Sequence, residues 1–250
     1  MMFQVAVPDI SADFGLRPSE VSWVMTGYIL VFALGSLIYG KLADIYPVKN
    51  LITTGLILMN AGSLLGVFSK WYSMVIAARL VQAAGGAAIP ALAMIIVTRY
   101  FPPKSRGRVL GTIASTVALA AGVGPIIGGF ISGTINWRYL FVISLATVSA
   151  IPCFRMLLPE EEVQENTFDK LGAFLIVGST ALLLFSVTRD EWWALPFGMI
   201  LFFWFVVHIK RVKEPFVSPS LFSSKNYRNT VITTFLSIGT VFGMLFMVPL

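Results

Sequence analysis

Apolar residues in this chain come in long unbroken blocks rather than in narrow stripes. Charge-free runs cover residues 21–40, 50–69, 80–98, 109–137, 139–154, 171–188, 192–207 and 229–250. A helix needs about 20 residues to cross the roughly 30 Å hydrocarbon layer, and most of the runs reach that length. They lack the period-two alternation of barrel strands, so they predict helices. Runs 139–154 and 192–207 are short and need flanking residues to span. Numbered helices 2 to 9, the eight runs follow a stub, MMFQVAVPDI, too short to cross and too uncharged at its start for a secretory signal. The stub is expected to be the outer end of a first helix. The closing MLFMVPL ends in an apolar run, so the sequence is expected to be a portion or a truncated form of a longer chain.

Composition agrees with this pattern and removes the alternatives. The chain is 57% hydrophobic, 13% aromatic and 12% charged, with a mean hydropathy of +0.84. Soluble domains carry about 25% charged residues. A soluble single-domain enzyme lacks its polar shell here, and disorder is incompatible with so much apolar and aromatic side chain. The fold class is therefore an all-α polytopic membrane protein.

The net charge of +6 is a matter of topology. If the runs alternate in direction, thirteen of the 18 lysines and arginines fall on one side, in segments 41–49, 99–108, 155–170 and 208–228. Arg17, Lys70, Arg138 and Arg189 fall on the other, and Arg79 lies inside a run. The positive-inside rule assigns the first side to the cytoplasm. No soluble basic face remains for nucleic acid. The single cysteine, Cys153, excludes an intramolecular disulfide, and the single histidine, His208, has no metal-ligating partner at recognisable spacing. It is expected to be an interfacial residue. Glu160, Glu161, Glu162 and Glu165 are expected to form a solvated linker. No catalytic set, metal site or cofactor is expected. The expected domains are residues 1–158, a six-helix bundle with helix 1 truncated; 159–211, an acidic connector and an inserted helix pair; and 212–250, a cytoplasmic connector (with KEPFVSPSLF) and the first helix of a C-terminal bundle.

Three constellations carry candidate chemistry. The first is the turn from Gly40 to Lys49, in which Asp44 can meet a helix N-terminus or pair with Lys49, as a gate or as an ordinary polar turn. The second is Arg79, which shares one helical face with Gln82, Ala83, Gly86 and Pro90. A charge in the bilayer interior must face the bundle and find a partner, either lining a pathway or bonded to backbone carbonyls. The third is Gly122, Gly124, Pro125, Gly128 and Gly129, with Gly133 beyond. Its small-xxx-small spacing permits close helix approach, and Pro125 predicts a bend or hinge. Helices 2 to 9 contain no acid expected to be buried.

These constellations, in this order, resemble the major facilitator superfamily. The Gly40–Lys49 turn is similar to its loop between helices 2 and 3. Arg79, Gln82 and Gly85 are similar to its helix 4 pattern. Gly124, Pro125, Gly128 and Gly129 are similar to the helix 5 signature of the drug/proton antiporter branch. The added helix pair and PFVSPSLF resemble the fourteen-helix subgroup. WVMTGYILVFALGSLIYGKLAD, ARLVQAAGGAAIPALAMIIVTRYFP and GVGPIIGG resemble the class K and class L tetracycline efflux pumps. Departures are Pro47 for Gly, Ile45 and Asn50 for basic residues, Ala83 for Gly, and Ala121 where those pumps carry a glutamate.

The resemblance implies a multi-pass protein of the bacterial cell membrane that exports a cationic metal–tetracycline complex, or other drugs, in exchange for protons by alternating access. Its partners would be a small-molecule drug, protons and the lipid bilayer; oligomeric state stays open. Arg79, Gln82 and Gly86 would line the pathway. Gly40, Asp44 and Lys49 would form the cytoplasmic gate, and the Gly122–Gly129 set the antiporter helix. A multidrug or quaternary-ammonium exporter and a non-transporting remnant are the alternatives.

Overall fold

The computed structural model describes residues 2–163, 168–189, 191–212, 215–219 and 224–247. Met1, Glu165, Lys213, parts of KEPFVSPSLF (213–214 and 220–222) and the last three residues of MLFMVPL lie outside the described residues. The chain divides into two compact units, Met1–Asn166 and Thr167–Leu250.

The first unit is built of helices α1 (Met2–Val5), α2 (Val7–Phe14), α3 (Pro18–Val21), α4 (Trp23–Leu42), α5 (Val48–Val67), α6 (Tyr72–Gly86), α7 (Ala88–Tyr100), α8 (Pro103–Thr134), α9 (Tyr139–Leu145) and α10 (Ala150–Leu157). Prolines explain most of the punctuation. Pro90 cannot donate to the carbonyl of Gly86 and its ring crowds that turn, so one apolar run becomes α6 and α7, parted at Ala87. Pro152 removes the donor to Val148, and the run tightens into a 3₁₀ stretch, Ala146–Ser149, between α9 and α10. Pro125 breaks nothing: α8 continues through it for 32 residues. The break between helices falls at Ala87, beside Pro90. Gly15 closes α2 at φ 61°, a left-handed conformation that glycine adopts without a Cβ penalty.

α5 packs most extensively against α6, and α4 lies against α6 and α7. Two apolar clusters fill this unit. Phe3, Ile10, Val24, Val75, Trp137 and Phe141 form one. Tyr39, Val48, Ile52, Leu56, Ala88 and Leu92 belong to the other. α8 packs mainly on α1, and its Leu119, Ile126 and Phe130 are exposed. An apolar outer surface of this extent suits hydrocarbon, not water.

The second unit holds α11 (Lys170–Arg189) and α12 (Ala194–Ile209), which pack along each other, and α13 (Lys225–Met247). Among the described residues each of the eight apolar runs is thus mainly helical. Among the described residues six spans are long and apolar enough to cross a membrane, including Pro18–Leu42, Tyr72–Tyr100 and Tyr139–Leu157. The short run at 139 gains the flanking residues it needs. α12 keeps 16 residues, about 24 Å at the helical rise.

Candidate functional site

Four helices converge on Arg79. Its side chain is buried in α6, 5% exposed, with Gln82, Ala83 and Gly86 buried on the same face. The guanidinium carbon stands 4.2 Å from the ring centroid of Phe3 in α1 and 3.9 Å from that of Tyr28 in α4. Nη1 donates to Gln82 Oε1 at 2.6 Å, and Nε donates to the Val24 carbonyl at 3.4 Å. Gln82 Nε2 donates to Ser63 Oγ (2.9 Å), whose hydroxyl donates to the Met59 carbonyl (2.9 Å). Among the described residues no carboxylate forms an ion pair with Arg79. Placing an arginine at mid-membrane costs roughly 2.5–3.5 kcal/mol. Two π faces and three backbone or amide acceptors along the chain of bonds offset that cost without an acid.

Glycines set the spacing that lets this chain of bonds close. A Cβ on Gly62 of α5 would stand 2.5 Å from the Gln82 nitrogen and 2.8 Å from the Ala78 carbonyl oxygen. Gly85 of α6 faces the backbone of Met59 and Gly55 equally closely. The two backbones therefore touch, and Ser63 is brought within reach of Gln82. At Gly86 the space opens: a Cβ would meet Tyr28 Oη at 3.4 Å and Met59 Sδ at 3.7 Å.

In the third constellation only part of the glycine set makes a contact face. Gly124 and Gly128 are the buried residues of α8. A Cβ on Gly128 would stand 2.7 Å from the Met2 carbonyl oxygen, and one on Gly129 3.3 Å from Val5 Cγ1. Pro125 is half-buried beside them. Gly122 and Gly133 are open, with nothing within 4 Å of a Cβ. The signature glycines therefore seat α8 on α1, one helix away from Arg79 through Phe3.

The Gly40–Lys49 turn lies at the other end of the unit. Gly40 lies in the last turn of α4, with nothing within 4 Å of an added Cβ. Lys41 Nζ stands 3.5 Å from Asp44 Oδ2, and Lys49 Nζ 3.6 Å from Glu160 Oε1. The centre of this end is Glu161, which sequence reasoning left among solvated acids. Its carboxylate accepts from the Val48 N–H (2.9 Å), Arg99 Nη1 (2.9 Å) and Tyr100 Oη (2.5 Å). Arg99 Nη2 also donates to the Ala43 carbonyl at 3.1 Å. Burial pushes Glu161 up, but the bonds from Tyr100, the Val48 N–H and Arg99 outweigh it and hold the carboxyl below the ordinary glutamate range. Glu160 keeps the expected solvated state, 93% exposed against 19% for Glu161. A cavity of about 290 Å³ opens between Asp44, Tyr46, Arg99 and Glu161. One signal was available: α5 starts at Pro47–Val48 with no side-chain cap of its own, so its first N–H groups need an acceptor from elsewhere.

At the opposite end Asp13 Oδ2 accepts from Arg138 Nη1 (2.8 Å) and Trp137 Nε1 (3.0 Å), while Arg138 Nε donates to the Ser69 carbonyl (3.1 Å). Asp9 pairs with Ser132 of α8. The Arg138 bond, then that of Trp137, holds Asp13 below the ordinary aspartate range.

The sequence matches the model of the Major Facilitator Superfamily over residues 1–250. The chain belongs to the major facilitator superfamily. Similar proteins include the riboflavin transporter RibZ of Clostridioides difficile (28% identical, covering 97% of this chain and 53% of that one). Multidrug resistance protein 3 of Bacillus subtilis is 27% identical over 98% of this chain and 50% of its own. The multidrug resistance protein B homolog of Mycobacterium tuberculosis is 29% identical over 98% and 48%. The chain thus spans about half the length of these curated relatives.

With six apolar spans and these bacterial relatives, this superfamily member is a multi-pass bacterial membrane protein, and its fold is a partial superfamily helical bundle. The superfamily is one of transporters. In α6 Arg79 and Gln82 are bonded to each other and Gly86 sits one turn on. Phe3, Tyr28, Ser63 and Glu161 complete the two networks; the first three did not stand out in the sequence, and Glu161 was expected only as a solvated linker acid.

Proposed function

We propose that this chain is the N-terminal portion of a proton-coupled drug exporter of the fourteen-helix branch, working by alternating access. Its expected cargo is a tetracycline-like or other cationic, amphipathic antibiotic. Residues 1–158 would form the N-terminal bundle, 159–211 the connector with its inserted helix pair, and 212–250 the start of the C-terminal bundle. The observation that carries the reading is Arg79, held between the Phe3 and Tyr28 rings with no acid partner among the described residues. Such a guanidinium can respond to charge entering the bundle, because a cation on the same aromatic faces competes with it. Gly86 supplies the space beside Tyr28. Gly124, Pro125, Gly128 and Gly129 would let α8 move on α1 as one close-packed surface. Gly40, Asp44 and Lys49 would form the cytoplasmic gate, with Glu161 as its fastening.

The relatives named for multidrug resistance support drug efflux at the level of the class; tetracycline and proton coupling are our extension of it. A second reading, a carrier of a metabolite such as riboflavin, is favoured by the relative named a riboflavin transporter. Accumulation assays in cells expressing the full-length protein separate the two. Drug accumulation lowered by the protein and restored by a protonophore supports the exporter; riboflavin uptake that is insensitive to the protonophore supports the carrier.

A further inference from the structure

Two cavities adjoin at Asn136, at the end of the first unit that the positive-inside rule assigns to the outer face. One, of about 380 Å³, is lined by Asp9, Asp13, Ser132 and Asn136 among others. The other, of about 350 Å³, is lined by Val67, Asn136, Arg138, Tyr139 and Val142. Both acids line only the first cavity, so the second holds a cation without them. That cation is fixed before any ligand arrives. Arg138 Nη1 donates to Asp13, Nε donates to the Ser69 carbonyl, and the guanidinium carbon lies 4.3 Å from the Trp137 ring centroid. Among the described residues Nη2 makes no hydrogen bond, and the side chain is 27% exposed. Lys70, next to Ser69, is exposed at the same end.

The surroundings narrow the ligand. The second cavity opens where α5 ends and α9 begins, two helices that pack together. Phe68, Trp71 and Tyr139 are exposed at this level, and exposed aromatic rings gather at the depth of lipid headgroups. Leu64 and Val142 lie one turn deeper than Val67 and Tyr139 and are exposed as well. They offer apolar surface to acyl chains.

We propose that this second cavity binds a phospholipid of the outer leaflet, with its phosphate on Arg138 and its acyl chains along Leu64 and Val142. The phosphate oxygens are acceptors for a guanidinium that is already oriented, so little side-chain freedom is lost on binding. Charge agrees. Arg138 and Asp13 cancel as a pair, Asp9 is bonded to Ser132 beside the other cavity, and Lys70 supplies the further positive charge at the headgroup level. A free phosphate would meet the same donors but would leave Val67 and Val142 uncovered; a phospholipid matches both halves of the lining. Occupied, the site ties the headgroup layer to α2, the α5–α6 turn and the α8–α9 turn through one guanidinium.

The test measures lipid binding to the full-length protein, purified in detergent, by native mass spectrometry. The probe is dioctanoyl phosphatidylglycerol, whose only charge is its phosphate. Dioctanoylglycerol, with the same chains and no phosphate, and inorganic phosphate are the comparisons. The phospholipid is expected to bind at least about tenfold more tightly than dioctanoylglycerol, the worth of one charged hydrogen bond. Val142→Trp fills the cavity without touching the Arg138 bonds, and is expected to weaken phospholipid binding at least about tenfold with the lipid-free Tm unchanged. Arg138→Gln is expected to lose as much. Phospholipid bound equally well by Val142→Trp and the parent, or no more tightly than dioctanoylglycerol, overturns the proposal. So does inorganic phosphate that displaces the lipid at equal concentration, which would make the site one for a free anion. The Val142→Trp comparison stands even where Arg138→Gln, which strands Asp13, does not fold.

Discussion

Arg79 Nη1 lies 2.6 Å from Gln82 Oε1, one turn along the same helix. The pair is the hinge of a chain of polar contacts that runs from Tyr28 and Phe3 on one side to Ser63 and the Met59 carbonyl on the other. Its shape requires a guanidinium. A lysine is a compact point charge with no flat face, and cannot lie between two rings while reaching Gln82.

Arg79→Lys is therefore expected to destabilise the protein by about 1–2 kcal/mol through loss of the stacked and hydrogen-bonded geometry. Thermal unfolding in detergent checks this. A Tm equal to that of the parent would show that the stacking contributes nothing.

The glycines divide into those that touch a neighbour and those that do not. Gly62→Ala and Gly128→Ala each push a Cβ against backbone, at 2.5 Å from the Gln82 nitrogen and 2.7 Å from the Met2 oxygen. Each is expected to cost about 1–3 kcal/mol by overpacking. Gly122→Ala and Gly133→Ala meet nothing within 4 Å and are expected to be neutral or stabilising by up to about 1 kcal/mol. Parallel unfolding measurements on the four variants check the division.

Glu161 makes the basic end of the first unit pH-sensitive. Its carboxyl is depressed on folding, so its contribution is fully present above the ordinary glutamate range. It is lost as pH falls below the ordinary glutamate range and through the lowered folded value. Glu161→Gln keeps the shape but not the charge, and is expected to cost about 1–2 kcal/mol at neutral pH and to flatten the acid limb of the stability profile. Glu160→Gln, at a 93% exposed side chain, is expected to change neither.

The helices were legible in the sequence because each is a long apolar run with no polar competitor. Arg79, Gln82 and Gly86 were legible as a set because positions three and seven apart share a face. Their partners were not: nothing in the spacing of Phe3 or Tyr28 marks either ring as the one that meets a guanidinium from a distant helix. Prolines show the same limit. Pro90 and Pro125 both sit in apolar runs with small residues four positions earlier, yet only Pro90 parts its helix. Glu161 hides in a run of three glutamates, of which the middle one reaches the start of α5 through the fold. His208 and Asp169 lie 39 residues apart and meet only because α11 and α12 are antiparallel neighbours.

Transport driven by an imposed proton gradient tests the central claim most directly. Efflux of a tetracycline-class drug would be compared between the full-length parent and its Arg79→Ala variant, at equal amounts of protein in the membrane. The parent is expected to export only while the gradient stands, and Arg79→Ala to fall at least about tenfold, equivalent to about 1.4 kcal/mol. Gradient-driven efflux in Arg79→Ala at the parent's rate would contradict the account.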